Sequence, residues 1–326
     1  MNKMKYNYVV LGSAADFYRA SYADLDNRID SKYIWKSIDT DSKLLNFLYK
    51  LHKSRKLNKF IQLPCQNIWN RLVFKGGFED DKPICFVLFG SRKKEIDCGL
   101  IEYFRKRYPG CRIAFFYQDM VKRSMMPNID VVKQKADIVL SFDQLDAKNY
   151  GVYYYPLVYS RIEIPKNEHI KRSDVYFVGK AKDRLDKIIA AYEVFKNAGL
   201  KCDFHIIGVE KENRKYEEEI VYQDQMPYLE NLQRIQACKC MLEIMQGGGH
   251  GYTLRYCEAI MYDKAIITDN PEVVRAPFYN PSRIQQFVDT EDIETDFVEN
   301  ISDRVDYGFK EKLSPIHLLQ FIDERL

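Results

Sequence analysis

Between Glu243 and Asn270 the chain reads EIMQGGGHGYTLRYCEAIMYDKAIITDN, a short apolar run that passes into consecutive glycines and then into a helix-like stretch. Glycines let a backbone approach a phosphate closely, and the free amides and positive end of the following helix stabilise its charge. Gly247, Gly248, Gly249 and Gly251 are therefore expected to cradle a diphosphate. Thr253 offers a hydroxyl donor, Arg255 a planar fork that matches phosphate, and Glu258 an acceptor for sugar or ribose hydroxyls. A turn made only for packing uses the glycines but needs none of these polar groups, leaving Arg255 and Glu258 as solvated surface residues. Their co-occurrence within one turn and helix favours the anion site.

A second basic element lies in DVYFVGKAKDRLDK, where Lys180, Lys182 and Arg184 fall between a strand end and a helix. Ligands of open α/β sheets bind outside the carboxyl ends of the strands, so this element is expected on the same rim as the glycine loop. Taken alone it reads as three cations on a surface turn.

The elements that must position these groups alternate short apolar runs with longer helical stretches, the pattern of parallel sheets with helical crossovers and hence an α/β fold. In the first half the expected strands are YNYVVLG (6 to 12), ICFVLFG (84 to 90), CRIAFFYQD (111 to 119), ADIVLSFD (136 to 143) and GVYYYPLVY (151 to 159). Helical spacing covers Cys98 to Arg107 and Ile129 to Lys135. A polar stretch from Ser160 to Ser173 reads as a linker. The pattern then restarts with DVYFVGK (174 to 180), a helix from about Arg184 to Asn197, CDFHIIGV (202 to 209), a helix from about Tyr228 to Cys238, CMLEIM (240 to 245) and KAIITDN (264 to 270). The charged KYEEEIVYQDQ (215 to 225) is expected in a loop or helix end. Two domains follow, 1–165 and 166–326, a division that suits 326 residues.

These residues carry a resemblance. The run VGKAKDR, then CDFHIIG, CMLEIMQ, GYTLRYCEAI and KAIITDN, preceded by SFDQLDAKNYGVYYYPLVYS, is similar to a bacterial family of GT-B-type glycosyltransferases from capsule and lipopolysaccharide clusters, over about residues 110 to 270. The resemblance implies two Rossmann-like domains facing a central cleft, with the acceptor on the first and a nucleotide diphosphate sugar on the second. It assigns Lys180, Lys182 and Arg184 to the diphosphate, Gln246, Thr253 and Arg255 to the donor pocket, and Glu258 to ribose. His250 and Glu258 are separated by seven residues, similar to the His-x7-Glu or Glu-x7-Glu signature of such enzymes; His250 also reads as a plain polar loop residue. Tyr222 is a candidate to stack on the nucleobase.

In that chemistry cationic side chains and helix dipoles stabilise the departing diphosphate, so neither a metal nor a separate cofactor is expected. The Asp39-Thr40-Asp41 triplet resembles a metal-binding DxD, but it precedes SKLLNFLY and reads better as the start of a helix. An inverting reaction needs a base in the first domain. Asp119, at the end of IAFFYQD, is the first candidate and Asp16, after the first strand, the second; both also read as turn residues. A retaining reaction needs no such base. A nucleotide-sugar epimerase and a non-catalytic nucleotide- or glycan-binding protein are the alternatives.

The composition, 46% hydrophobic and 30% charged, is that of a folded globular protein. No run approaches the length of a transmembrane helix, and the apolar run from Tyr8 to Leu11 is too short for a signal peptide. The eight cysteines are scattered, with no CxxC pair, and read as reduced thiols of a cytoplasmic protein. Net charge is only +3, yet the residues through Pro165 hold 28 Lys+Arg against 18 Asp+Glu, and the remainder 22 against 29. The basic clusters HKSRKLNK (52 to 59), SRKK (91 to 94) and FRKRY (104 to 108) suit a peripheral contact with an anionic membrane or a phosphate-bearing, polyprenyl-linked acceptor, or form an ordinary solvated face. No recognisable nucleic-acid module accompanies them, and nucleic acid is not expected as a partner.

Overall fold

The structure, a computed structural model, describes residues 4–13, 15–61, 64–122, 126–247, 251–301 and 306–326. The chain divides into two units, residues 1–160 together with 314–326, and residues 161–313. The first sheet is built from β1 (Asn7–Leu11), β2 (Ser31–Ile34), β3 (Ile84–Phe89), β4 (Arg112–Tyr117), β5 (Ile138–Ser141) and β6 (Tyr153–Tyr154). Its helices are α1 (Asp16–Ser21), α2 (Lys43–His52), α3 (Arg55–Phe60), α4 (Lys93–Asp97), α5 (Leu100–Arg107), α6 (Ile129–Lys135) and α7 (Gln144–Tyr150). The order is β2-β1-β3-β4-β5-β6, every neighbouring pair parallel.

Strands covered on both faces must be apolar throughout. Along β1 and β3, Val9, Leu11, Phe86 and Leu88 enter one core, and Tyr8, Val10, Cys85 and Val87 the other, with the period of two that a pleated strand imposes. Leu100, Ile101 and Phe104 of α5 close the first core.

The second unit contributes β7 (Ser173–Lys180), β8 (Cys202–Ile207), β9 (Val221–Gln223), β10 (Cys238–Glu243), β11 (Ala265–Thr268) and β12 (Ile284–Gln286), with α8 (Leu185–Asn197), α9 (Tyr228–Ala237), α10 (Leu254–Met261) and α11 (Asp296–Glu299). The order β12-β11-β10-β7-β8-β9, again parallel throughout, is that of a dinucleotide-binding domain, and its direction reverses between β7 and β10. Ile188, Ile189, Tyr192 and Phe195 of α8 pack on Val175, Phe177, Phe204 and Leu242.

The chain ends in α12 (Pro315–Asp323), which was expected with the second domain but belongs to the first unit. Its Leu318, Leu319 and Ile322 enter the core beneath β1, and the Asp323 carboxylate accepts from the Lys5 amide at 2.9 Å and the Tyr8 hydroxyl at 2.9 Å. The division falls at Arg161 rather than Lys166.

The expected strand over 151 to 159 is reduced to Tyr153–Tyr154, because Pro156 has no amide to donate to a ladder. Three strands carried no clear signal: β2, β9 and β12 are short, flank their sheets and hold polar residues. The charged stretch expected in a loop or helix end thus contains β9. Asp39 and Asp41 precede α2, whose N-cap is Ser42 accepting from the Leu45 amide; Asp41 pairs with Lys36 at 2.8 Å. Among the described residues no helix is long and apolar enough to cross a membrane.

Candidate donor site

In a sheet of this order the crevice opens where neighbouring strands send their connections to opposite faces, here beyond β7 and β10. Both basic and glycine-rich elements leave the sheet at that point. From β7 the chain runs through Lys180, exposed at the strand end, to Lys182, which holds a left-handed φ of 48°. A lysine adopts that conformation only when its surroundings hold it there. The Lys182 ammonium donates to the Gln246 side-chain carbonyl, joining the loop after β7 to the loop after β10.

Arg184 is the N-cap residue of α8 and supplies no side-chain cap, so it leaves the first amides of a 13-residue helix without one. Its guanidinium reaches back instead, donating to the Lys180 carbonyl at 3.1 and 3.3 Å and to the Ile244 carbonyl. Arg255, in the first turn of α10, donates to the Val178 carbonyl and lies 5.6 Å from the centre of the Phe177 ring. The two guanidiniums meet over Gly179. A Cβ on that glycine would stand 2.9 Å from Arg255 Nη2 and 3.3 Å from Arg184 Nη2. Burial, and then the charge of Arg255, pull the Arg184 guanidinium below its ordinary value. Two like charges held side by side at a strand end favour an anion between them.

The loop is anchored on both sides. A Cβ on Gly247 would lie 3.2 Å from Asp183 Oδ2, so the chain passes close to the start of α8. The Met245 amide donates to Asp269 Oδ1 at 2.6 Å, and Asp269 is paired with Lys187 at 2.8 Å. Asn270, fully enclosed, donates from its side-chain Nδ2 to the Gly251 carbonyl at 3.3 Å. Gly248, Gly249 and His250 lie outside the described residues.

Thr253 has a different task from the ligand donor expected of it. It is the N-cap of α10, accepting from the Arg255 amide at 3.3 Å, and its hydroxyl proton goes to the buried carboxyl of Glu243. Thr268 donates to the other oxygen of Glu243 at 2.9 Å. Burial pushes the Glu243 carboxyl up, opposed first by the charge of Arg255 and then by these hydroxyls.

Glu258 is buried as well, accepting from the Tyr228 hydroxyl at 2.7 Å and the Asn231 amide at 3.2 Å, both on α9. Burial raises it to about 7. It is not a solvated helix residue.

Tyr222 is not brought to this group. It sits on β9, two strands away from β7, where its hydroxyl donates to the Lys215 carbonyl at 2.7 Å and Arg214 covers its ring at 5.4 Å. In the first unit Asp119 lies half-buried just past β4, accepting from the Met120 amide at 2.9 Å, and its charge adds to the burial that raises Tyr18 to about 12. Asp16 is exposed in the first turn of α1. Both lie beyond carboxyl strand ends of the first sheet.

Sequence reading passed over Gly179 and Glu243. A carboxylate ending the apolar run CMLE was the available signal for Glu243. Nothing local marks Gly179, whose importance comes from two side chains of distant segments.

No protein-family model and no curated protein sequence matches the chain. Among solved structures it is similar to a putative UDP-N-acetylglucosamine 2-epimerase from Listeria monocytogenes, at 11% identity and a TM-score of 0.53, covering 99% of this chain and 96% of that one. It is also similar to an α-glucosyltransferase in complex with UDP and a DNA 13-mer, at 14% identity and a TM-score of 0.51, covering 100% and 94%. The fold is GT-B. Within that GT-B chain, the crevice beyond β7 and β10 gathers Lys182, Arg184, Gln246, Gly247 and Arg255 on a single Rossmann-like unit.

Proposed function

We propose that the chain is a glycosyltransferase that binds a nucleoside diphosphate sugar on residues 161–313 and transfers the sugar to a glycan or polyprenyl-linked acceptor of a surface polysaccharide, such as capsule or lipopolysaccharide. The observation that carries the reading is the convergence of Arg184 and Arg255 on Gly179 at the switch point of the second sheet. Two guanidiniums beside the uncapped start of α8 suit the two phosphates of the donor. As the glycosidic bond to the β-phosphate breaks, charge grows on the diphosphate, and these fixed donors stabilise it without a metal. Glu258 takes the ribose hydroxyls. Asp119 takes the acceptor proton if configuration inverts, with Asp16 as the second candidate. The protein would work in the cytoplasm, peripherally at the inner face of the membrane.

The test is calorimetry with UDP, GDP, CMP and dTDP, without metal and then with magnesium, on wild type and Arg255→Ala. Metal-independent binding of one diphosphate, lost in the variant, supports the reading. No binding by any of the four sinks it in favour of a non-catalytic glycan-binding protein. The likeness to an epimerase favours a second reading, conversion of the nucleotide sugar itself. Incubation of the donor alone separates the two, since an epimerase changes it without any acceptor. The DNA held by the other neighbour makes an oligonucleotide the control acceptor.

A further inference from the structure

Helix α2 is attached to the first unit by one face only. Tyr49 is buried, donates its hydroxyl to Glu95 and meets Trp69 edge-on at 5.5 Å, while Leu45 packs on the same small cluster. A helix fixed in this way ordinarily turns polar residues outward. Here Leu44, Phe47, Leu48 and Leu51, at positions that share one helical face, are 66%, 60%, 40% and 42% exposed. The Asn58 amide donates to the His52 carbonyl at 2.9 Å, tying α3 to the end of α2, and α3 ends on Phe60, 88% exposed, followed by the exposed Ile61.

Between Asp41, which is paired with Lys36, and Glu79 the chain that carries this stripe is basic. Residues 42 to 78 hold eight Lys+Arg and no Asp or Glu, and Lys43 and Lys50 are exposed on the polar edge of α2 itself. Charge decides among possible occupants. A second copy would bring an equally basic stretch against this one and be repelled. Nucleic acid would meet the lysines but leave the central apolar stripe against phosphates and water. An anionic bilayer satisfies both parts, with leucine and phenylalanine entering the headgroup boundary and the cations resting among lipid phosphates.

We propose that the exposed face of α2, with Phe60 and Ile61, is the surface by which this protein seats itself on an anionic lipid bilayer. The proposal deepens the peripheral location given above and rests on that part of the reading alone; it does not depend on donor chemistry.

The test is flotation of the full chain with phosphatidylcholine vesicles and with vesicles containing about a third phosphatidylglycerol. Wild type is expected to partition at least about tenfold better onto the anionic vesicles, with binding that weakens as salt rises. Leu51→Glu is expected to reduce this at least about tenfold, and Lys43→Gln with Lys50→Gln about threefold. Thermal melts and nucleotide calorimetry on the same variants are expected to be unchanged, because the altered side chains are exposed. Absence of a preference for anionic vesicles, or indifference to Leu51→Glu, overturns the proposal. Light scattering that shows a dimer broken by Leu51→Glu also overturns it in favour of a second copy, and binding to duplex DNA in place of vesicles does so in favour of nucleic acid. Failure to bind any nucleotide would sink the donor reading and leave the vesicle result standing.

Discussion

Arg184 and Arg255 place their guanidiniums on the same side of Gly179, where a Cβ would stand 3.3 Å from the first and 2.9 Å from the second, although one is the N-cap residue of α8 and the other lies in the first turn of α10. Each is held there by main-chain carbonyls, Lys180 and Ile244 for the first and Val178 for the second. The two form a like-charge contact that an anion between them would relieve.

Replacing Arg255 by alanine is expected to weaken nucleoside diphosphate binding about tenfold to a hundredfold, the loss of about 1.5–3 kcal/mol that a hydrogen bond to a charged group represents. The fold should survive, since the change removes a repulsion from Arg184 along with the charge that favours the buried Glu243 carboxylate. Calorimetry paired with urea unfolding checks both halves.

Gly179→Ala tests the same contact from the backbone side. Gly179 lies within β7 and has no left-handed φ, so alanine suits its conformation. The new methyl pushes on the Arg255 and Arg184 guanidiniums and on the Phe177 ring. Stability is expected to fall by less than about 1 kcal/mol while diphosphate affinity falls about tenfold. Equal losses in stability and affinity would show that the methyl disturbs the strand and not the arginine pair.

The strands and helices that flank the glycine-rich and basic segments, β10 and α10, β7 and α8, were legible because strand, connection and helix follow one another within a few residues. What joins them was not. The Lys182–Gln246 bond and the meeting over Gly179 depend on sheet order, which single-segment periodicity does not contain. The return of the C-terminal helix was hidden for the same reason, since Tyr8 and Asp323 are 315 positions apart. The charged run around Tyr222 masked β9, and the bonds of its hydroxyl to the Lys215 main chain carry no local sequence signal. Thr253 was read as a phosphate donor, yet a threonine before a helix is also the ordinary choice of cap.

That capping role gives a third expectation. Thr253→Ala removes the cap of α10 and takes a hydroxyl donor from the buried Glu243, costing about 1–3 kcal/mol in chemical denaturation. Thr253→Ser keeps both bonds and should recover most of it. If serine recovers stability but nucleotide affinity stays low, the methyl group has a part in the pocket.

Asp119 and Asp16 differ in surroundings, and their variants should differ likewise. Asp119→Asn is expected to lower the transfer rate about a hundredfold or more, as the loss of a general base does, while calorimetric affinity for the nucleotide is unchanged. Asp16→Asn, at an exposed helix start, should cost only a few tenths of a kcal/mol of stability through the helix dipole. Comparable small effects on turnover from both would point to a retaining reaction without a protein base.

Glu258 sets the pH dependence. Its carboxyl is raised from the ordinary 4.5 to about 7, chiefly by burial. Between those values the folded protein keeps a proton that the unfolded chain releases, so the contribution to stability is whole below about pH 4.5 and is lost as pH rises through 7. Glu258→Gln removes the titration. Relative to wild type, its unfolding free energy is expected to gain on the order of 3 kcal/mol between pH 4 and pH 8. Parallel profiles for the two proteins would mean that the Tyr228 and Asn231 bonds already hold the carboxylate ionised. Saturating nucleotide adds a further discrimination: ribose hydroxyls donating to Glu258 favour its charged form, so the loss should still begin near pH 4.5 but end at lower pH and be smaller in the complex. A slope unmoved by nucleotide would place the ribose elsewhere and leave Glu258 as the partner of α9 alone.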